Sequence, residues 1–335
     1  MKRGLIMDNK QFRGKNAAAF IKKQGIYFAL IAVVAVFSIA APMFFQVNNF
    51  ILILRQGAIM GIMACAMTLV IIGGNFDLSV GSILSFSTVL MIQLFNTVGP
   101  VPAMALVLLA GIAFGLISGF LVGYVRLNSM IVTLGMMGIV QALTYFVSGG
   151  KNSTLKNADG MWFLSLGRGF IGFIPTVVVI CFVCMILFEI LLKCTVFGNQ
   201  LMSVGGNQVA SRFSGVDDKK IVLITFILSG MMTALAGILL ASRIGSAQNA
   251  IGEGYEMNVI AGVILGGASL SGGSGSAVKA VIGILILGVL DNGFVMMSLP
   301  YSMQWVANGL IILIVVYIDI RSKRIRTNMK GGKNA

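Results

Sequence analysis

The chain has 335 residues, of which 58% are hydrophobic, 42 are glycine and only 10% are charged, where soluble domains carry about 25% charged residues. Too few polar side chains remain to cover a globule in water, so an ordinary soluble protein is excluded and a membrane protein is indicated. The absence of histidine removes the usual general base near neutral pH and the commonest zinc ligand. The net charge of +14 has two readings, nucleic-acid binding or a bias of basic residues toward one face of a bilayer, and position separates them.

A membrane helix takes about 20 mostly apolar residues. On that ruler, spans are predicted at residues 26–45, 56–73, 80–96, 101–125, 130–148, 173–193, 220–242, 257–268, 277–298 and 303–320. The expected fold is an all-α polytopic membrane protein with about ten transmembrane helices. The first run is too long for a signal-peptide core and follows a long basic stretch, so it reads as an uncleaved span. The fourth carries Gly111, Gly115, Gly119 and Gly123 on one stripe, which lets another helix approach closely. The eighth is too short to span comfortably and ends in a glycine-rich stretch, an arrangement tolerated where backbone is buried in protein or lines a cavity.

Lys and Arg positions orient these spans. With the N terminus in the cytoplasm, the inside segments hold Lys2 through Lys23, then Arg126, then Lys193, Arg212, Lys219 and Lys220, then Lys279, then Arg321 through Lys333. Only Arg55, Lys151, Lys156, Arg168 and Arg243 fall outside or at helix entrances. Both termini are therefore expected in the cytoplasm, with a basic segment at 1–25, a transmembrane domain at 26–320 and a basic tail at 321–335. Because the basic residues are dispersed along membrane boundaries, no nucleic-acid partner is expected. An external loop is predicted at 149–172 and a cytoplasmic loop at 194–220. In the external loop, Trp162 and Phe163 read as interfacial anchors.

The cytoplasmic loop has a helix signature in its second half. Gly205 and Gly206 give a flexible entry, Asn207 can cap the first turn and Gly215 can close the last. Val209, Ala210 and Phe213 between them give the short helix an apolar face, suited to a partner or to resting on the protein itself. Asp77 has two readings, an ion site beside a span or, with Asn75 and Ser79, a turn that caps the third helix. Asp291 and Asn292 fall inside the ninth span, where exposure to lipid would be costly, and so are expected to face the interior as pathway residues. Glu189 and Lys193 are spaced as a helix pair. Cys65, Cys181, Cys184 and Cys194 mostly sit in apolar runs and read as small hydrophobes; no metal site is expected.

An internal echo aligns 67–74 with 260–267. Each leads into Gly-Gly, then Asp77-Leu-Ser against Ser269-Leu-Ser, and Gly81-Ser against Gly273-Ser with one residue skipped. It reads either as an internal repeat, common in transporters, or as two similar helix ends. No phosphate-binding loop of the Gly-x-x-x-x-Gly-Lys-Ser/Thr type exists, so any ATP must be hydrolysed by a partner and no cofactor is expected.

Three segments carry a resemblance: Gly73-Gly-Asn-Phe-Asp-Leu-Ser-Val-Gly-Ser82, the loop from Phe197-Gly198 through Gly205-Gly206-Asn207 to Ser214-Gly215-Val216, and Gly266-Gly-Ala-Ser-Leu-Ser-Gly-Gly273. In this order and spacing, over roughly 26–319, the chain resembles the ribose-type permeases of bacterial ATP-binding-cassette sugar importers. The resemblance implies a multi-pass inner-membrane permease paired as a homodimer or heterodimer. It also implies two cytoplasmic ATPase subunits and an external sugar-binding protein, periplasmic or lipid-anchored. It makes the loop after the sixth span the coupling helix, with Gly205, Gly206, Asn207, Ala210 and Gly215 at the matching positions. The chain departs from the family pattern after Asn207, where Gln208-Val209 replaces a frequent Pro-Glu pair. Asn75, Asp77, Ser79, Asp291 and Asn292 are the expected pathway residues. The alternative reading is a stand-alone ion-coupled transporter or channel that uses Asp77 or Asp291; an intramembrane enzyme is disfavoured because histidine and clustered carboxylates are lacking.

Overall fold

The computed structural model describes residues 25–41, 43–156 and 162–300, with a few positions between 302 and 317. Nearly all of the predicted basic N-terminal segment, the basic tail and most of the tenth predicted span lie outside the described residues. The apolar runs fold as helices. α1 is Gly25–Ala40, and it is followed by α2 (Val47–Ile72), α3 (Val80–Val98), α4 (Pro100–Gly123) and α5 (Ser129–Ser148). A loop region then contains α6 (Trp162–Arg168), before α7 (Thr176–Cys194), α8 (Val196–Gly206), α9 (Gln208–Phe213), α10 (Asp218–Ile244), α11 (Tyr255–Leu265) and α12 (Ala277–Met296). Seven of these, α2, α3, α4, α5, α7, α10 and α12, are long and apolar enough to cross a membrane, while α1 and α11 are shorter apolar helices. The eleven residues of α11 match the predicted short eighth element. Four two-residue strands, β1 (Ser153–Thr154), β2 (Phe170–Ile171), β3 (Ile174–Pro175) and β4 (Ser246–Ala247), pair antiparallel as β1–β4 and β2–β3.

Two boundaries differ from expectation. The second span is predicted from residue 56, just past Arg55, yet α2 begins at Val47 and carries Arg55 as its ninth residue. The helix tolerates that charge because the guanidinium is served by the Arg168 carbonyl and lies over the Phe170 ring. The stretch from Val196 to Gly206, expected as loop, is the helix α8, capped by the Thr195 hydroxyl accepting from the Gly198 N–H.

The core is built on α2, α3 and α10. Their apolar windows are 67–72% buried, against 28–33% in α4, α5 and α7. The inner half of α2, from Gly57 to Ile72, is buried on every side, as expected of a helix apolar all round. The glycine stripe of α4 seats α10 of the same chain. A Cβ at Gly111, Gly115, Gly119 or Gly123 would meet the backbone of Gly230, Phe226, Leu223 or Lys219 respectively, and one at Gly230 would strike the Gly111 carbonyl. Backbone thus runs against backbone along the whole contact.

The internal echo is reproduced bond for bond. At the end of α2 the N–H groups of Gly73, Gly74 and Asn75 donate to the carbonyls of Leu69, Ile71 and Val70; at the end of α11 those of Gly266, Gly267 and Ala268 donate to Gly262, Ile264 and Val263. Gly74 and Gly267 both adopt left-handed backbone, at φ 79° and 87°, where a side chain would be strained.

These contacts define two ends of the molecule. One gathers the last turn of α2, the start of α5, α8, α9, the start of α10 and the α11–α12 link. The other gathers the end of α3, α6, the strands and the end of α10. At this second end the Asn96 side chain donates to the Thr154 carbonyl and accepts from the Lys156 N–H. Phe163, expected at an interface, is fully buried against Phe95 at 5.2 Å, while its neighbour Trp162 is exposed. The Ser242 hydroxyl fixes this turn, donating to the Phe163 carbonyl and accepting from the Gly167 N–H.

Candidate functional site

The three glycine-rich segments, far apart in sequence, meet at the first end. The Gly273 N–H donates to the Ile72 carbonyl at 2.8 Å. A Cβ at Gly205 would collide with that same carbonyl, and one at Gly272 would press on the Gly205 backbone. Leu201 of α8 is buried, and a Cβ at Gly73 would lie 3.3 Å from its side chain. The end of α2, the end of α8 and the α11–α12 turn are therefore packed backbone to backbone at Ile72, Gly205 and Gly273, with the Leu201 side chain filling the space beside Gly73. Glu189 joins α7 to the same region. Besides its ion pair with Lys193, its carboxylate accepts from the Ser276 hydroxyl and the Val278 N–H at the start of α12.

α9 projects from this junction. The Asn207 carboxamide oxygen accepts from the Ala210 N–H at 3.0 Å, and Gly215 closes the turn at φ 81° with its N–H on the Arg212 carbonyl. The expected cap and stop both operate. Val209, Ala210 and Phe213 are exposed, Val209 and Phe213 by 62% and 89%, whereas Ser211 on the inner side is buried and bonds Ser203 of α8.

What fixes α9 was not foreseen from the sequence. Asp218, the first residue of α10, has a side chain only 5% exposed and accepts from three directions. Arg126 pairs with it in a two-pronged bond at 2.7 and 3.0 Å. Arg212 of α9 reaches it at 2.9 and 3.0 Å, and Gln208 at 2.7 Å. Gln208 thus makes a polar contact where the family pattern carries a different pair. Hydrogen bonding to Asp218 raises the Arg126 guanidinium above its usual value, against a smaller opposing effect of burial. Arg126 holds left-handed backbone at φ 69°, a conformation that costs a non-glycine residue roughly 1 kcal/mol, and the ion pair offsets it.

The expected pathway residues separate into two places. In the α2–α3 link, Asp77 and Ser79 are buried. One Asp77 oxygen accepts from the Ser79 N–H and hydroxyl and the other from the Ser229 hydroxyl of α10. The carboxylate therefore makes a turn before α3 and ties that turn to α10. Asn75 donates to the Gly73 carbonyl. Asn292 lies toward the other end, where its carboxamide and that of Asn49 exchange hydrogen bonds at 2.8 and 2.9 Å, joining α12 to the start of α2. Asp291 and Asn292 are half-buried. Among the described residues no group of three or more His, Cys, Asp or Glu is placed to hold a metal ion.

Seven helices long and apolar enough to cross a membrane, three of them forming the buried core, make this a multi-pass membrane protein. The family model for the permease component of branched-chain amino acid transport systems matches residues 49–316. The ribose import permease protein RbsC of Escherichia coli K12 is 36% identical over 305 residues, covering 90% of this chain and 94% of that protein. RbsC of Bacillus subtilis 168 is 37% identical, covering 89% and 93%. The L-arabinose transport system permease protein AraH of E. coli K12 is 35% identical, covering 87% and 90%. The chain belongs to this family of ATP-binding-cassette transporter permeases. No solved structure matches it.

Proposed function

We propose that the chain is the membrane-spanning permease subunit of an ATP-driven importer for a sugar or sugar-like small solute, and that it forms the solute's route by alternating access. The relatives named for ribose and arabinose support the substrate class. The observation that carries the reading is α9: a short helix with Val209, Ala210 and Phe213 outward, held from behind by Asp218. An exposed apolar face on a rigid mount suits a load-bearing contact with another subunit, because force on the helix passes into α10 without being lost in a flexible loop.

In this reading the α9 end is cytoplasmic and meets ATPase subunits, with Gly205, Gly206, Asn207, Ala210 and Gly215 forming the coupling element. Both termini are cytoplasmic, the membrane is the bacterial inner membrane, a second permease subunit completes the pore, and an external sugar-binding protein delivers the solute. Asn75, Asp77 and Ser79 lie where the α2–α3 link meets α10, and Asp291 and Asn292 toward the external end; these are the polar groups proposed to border the route. The ATPase activity resides on the partner, as the lack of a phosphate-binding loop requires.

Reconstitution in liposomes with and without its ATPase partner tests the reading. Uptake is expected to require ATP and the ATPase, and Ala210→Glu, which places a charge on the exposed face of α9, is expected to abolish uptake while the permease stays folded. Uptake driven by an ion gradient in the absence of the ATPase would overturn it.

A further inference from the structure

At the end of α10 remote from Asp218, three arginines converge, and none of them pairs with an acidic group among the described residues. Arg55 of α2, Arg168 of α6 and Arg243 of α10 line a cavity of about 510 Å³, together with Asn48, Ile51 and Phe170. The ion pairs among the described residues lie elsewhere, at Asp217, Asp218 and Glu189. Among the described residues the guanidiniums are positioned by carbonyls and a ring, not by carboxylates. Arg168 donates to the Arg243 and Ile244 carbonyls at 2.9 and 3.0 Å, Arg55 donates to the Arg168 carbonyl at 2.6 Å, and the Arg55 guanidinium carbon lies 4.6 Å from the Phe170 ring centre. The Arg55 Nε–H is buried and bonds nothing.

Each guanidinium offers five N–H donors, and only a minority are used here. Three like charges in a partly dehydrated recess repel one another, and the fold holds them together by carbonyls and a ring face. An anion relieves that repulsion, and the planar fork of arginine matches a carboxylate or a phosphate in two-pronged fashion. The cavity falls in the size range of small-molecule sites. Arg55 and Arg243 are half-buried in the wall of the recess and Arg168 is exposed. A concave recess of this size favours a small solute over a docked protein surface.

We propose that this recess is an anion site on the solute's route, and that the transported solute carries a carboxylate or phosphate there: an acidic sugar or a sugar phosphate. The inference rests on the importer reading, which makes this end external.

The test is calorimetric titration of the full-length permease in lipid nanodiscs, without binding protein, using a hexuronate, a pentose phosphate and the neutral hexose and pentose. The charged probes are expected to bind and the neutral ones not. Arg55→Gln is expected to weaken the charged probes about tenfold, as loss of a charge-assisted hydrogen bond does, and Arg55→Lys by less. Arg243→Gln repeats the test at a second position, and unchanged melting of the variants shows that they are folded. Equal binding of charged and neutral probes, or a charge preference indifferent to both variants, overturns the proposal. So does a charge effect seen only with the binding protein present, which would make the arginines its docking surface. Because these titrations need no ATPase, their failure is distinct from failure of ATP-driven uptake, which alone bears on the importer reading.

Discussion

α10 joins two arginine clusters that solve the same electrostatic problem differently. At its start, Arg126 and Arg212 share the carboxylate of Asp218, so each has an acidic partner within the chain and the bonds can act as a mount. At its end, Arg55 and Arg168 are held by carbonyls and an aromatic face, and no carboxylate among the described residues pairs with them or with Arg243. The cluster with a carboxylate ties α9 to α10, whereas the cluster without one is where we propose that an anion binds. The helix between them packs glycine against glycine on α4, which gives it little freedom to bend and makes it a stiff link between the ends.

The largest effect is expected from breaking that link. Gly230→Val would drive a branched side chain into the Gly111 carbonyl and should cost about 3 kcal/mol or more, read as loss of the folded, monodisperse protein in detergent; an unchanged melt would show that α4 and α10 are not locked. Next comes the cluster with the carboxylate. Asp218→Asn removes the charge shared by two arginines and should cost about 2 kcal/mol. It should also expose α9 to proteolysis while leaving the far end protected, and equal exposure at both ends would show that the two clusters are not independent. Arg126→Gly sharpens the same point, because it relieves left-handed strain while deleting the ion pair. The net loss should be about 1 kcal/mol, with α9 loosened nearly as much as in Asp218→Asn. Asn207→Ala should likewise cost about 1 kcal/mol through the lost cap. The smallest effect belongs to the cluster without a carboxylate. Arg168→Gln gives up two carbonyl contacts at an exposed position and should shift the melt by less than about 1 kcal/mol, because water replaces exposed hydrogen bonds at little cost.

Some of the site was legible in advance. The cap at Asn207, the stop at Gly215 and the exposed Val209 and Phe213 follow from local rules of helix ends and periodicity, which need only neighbouring residues. The glycine stripe announced a close helix contact, and the repeated Gly-Gly turn announced matching helix ends, again from local pattern. The Asp218 mount was not legible. Arg126 lies 92 residues from Asp218 in sequence, and an Asp at a helix start has a sufficient local explanation as a favourable charge at the positive end of the helix dipole. Arg55 misled for the same reason: a charge within an apolar run reads as a boundary unless the carbonyl and ring that receive it are known. The hydrogen-bond exchange of Asn292 with Asn49 was not legible either, because the two lie 243 residues apart.

The sequence by itself determined the medium, the apolar helices, the bias of basic residues and the family, because composition, periodicity and motif order are properties of the chain read locally. Only the tertiary structure decided that the glycine stripe serves α10 of the same chain, that the three glycine-rich segments form one junction, and which arginines are paired. Those outcomes depend on which distant backbones come within a few ångströms of each other. Close approach of this kind is a property of packing, and no local pattern in the chain encodes its partner.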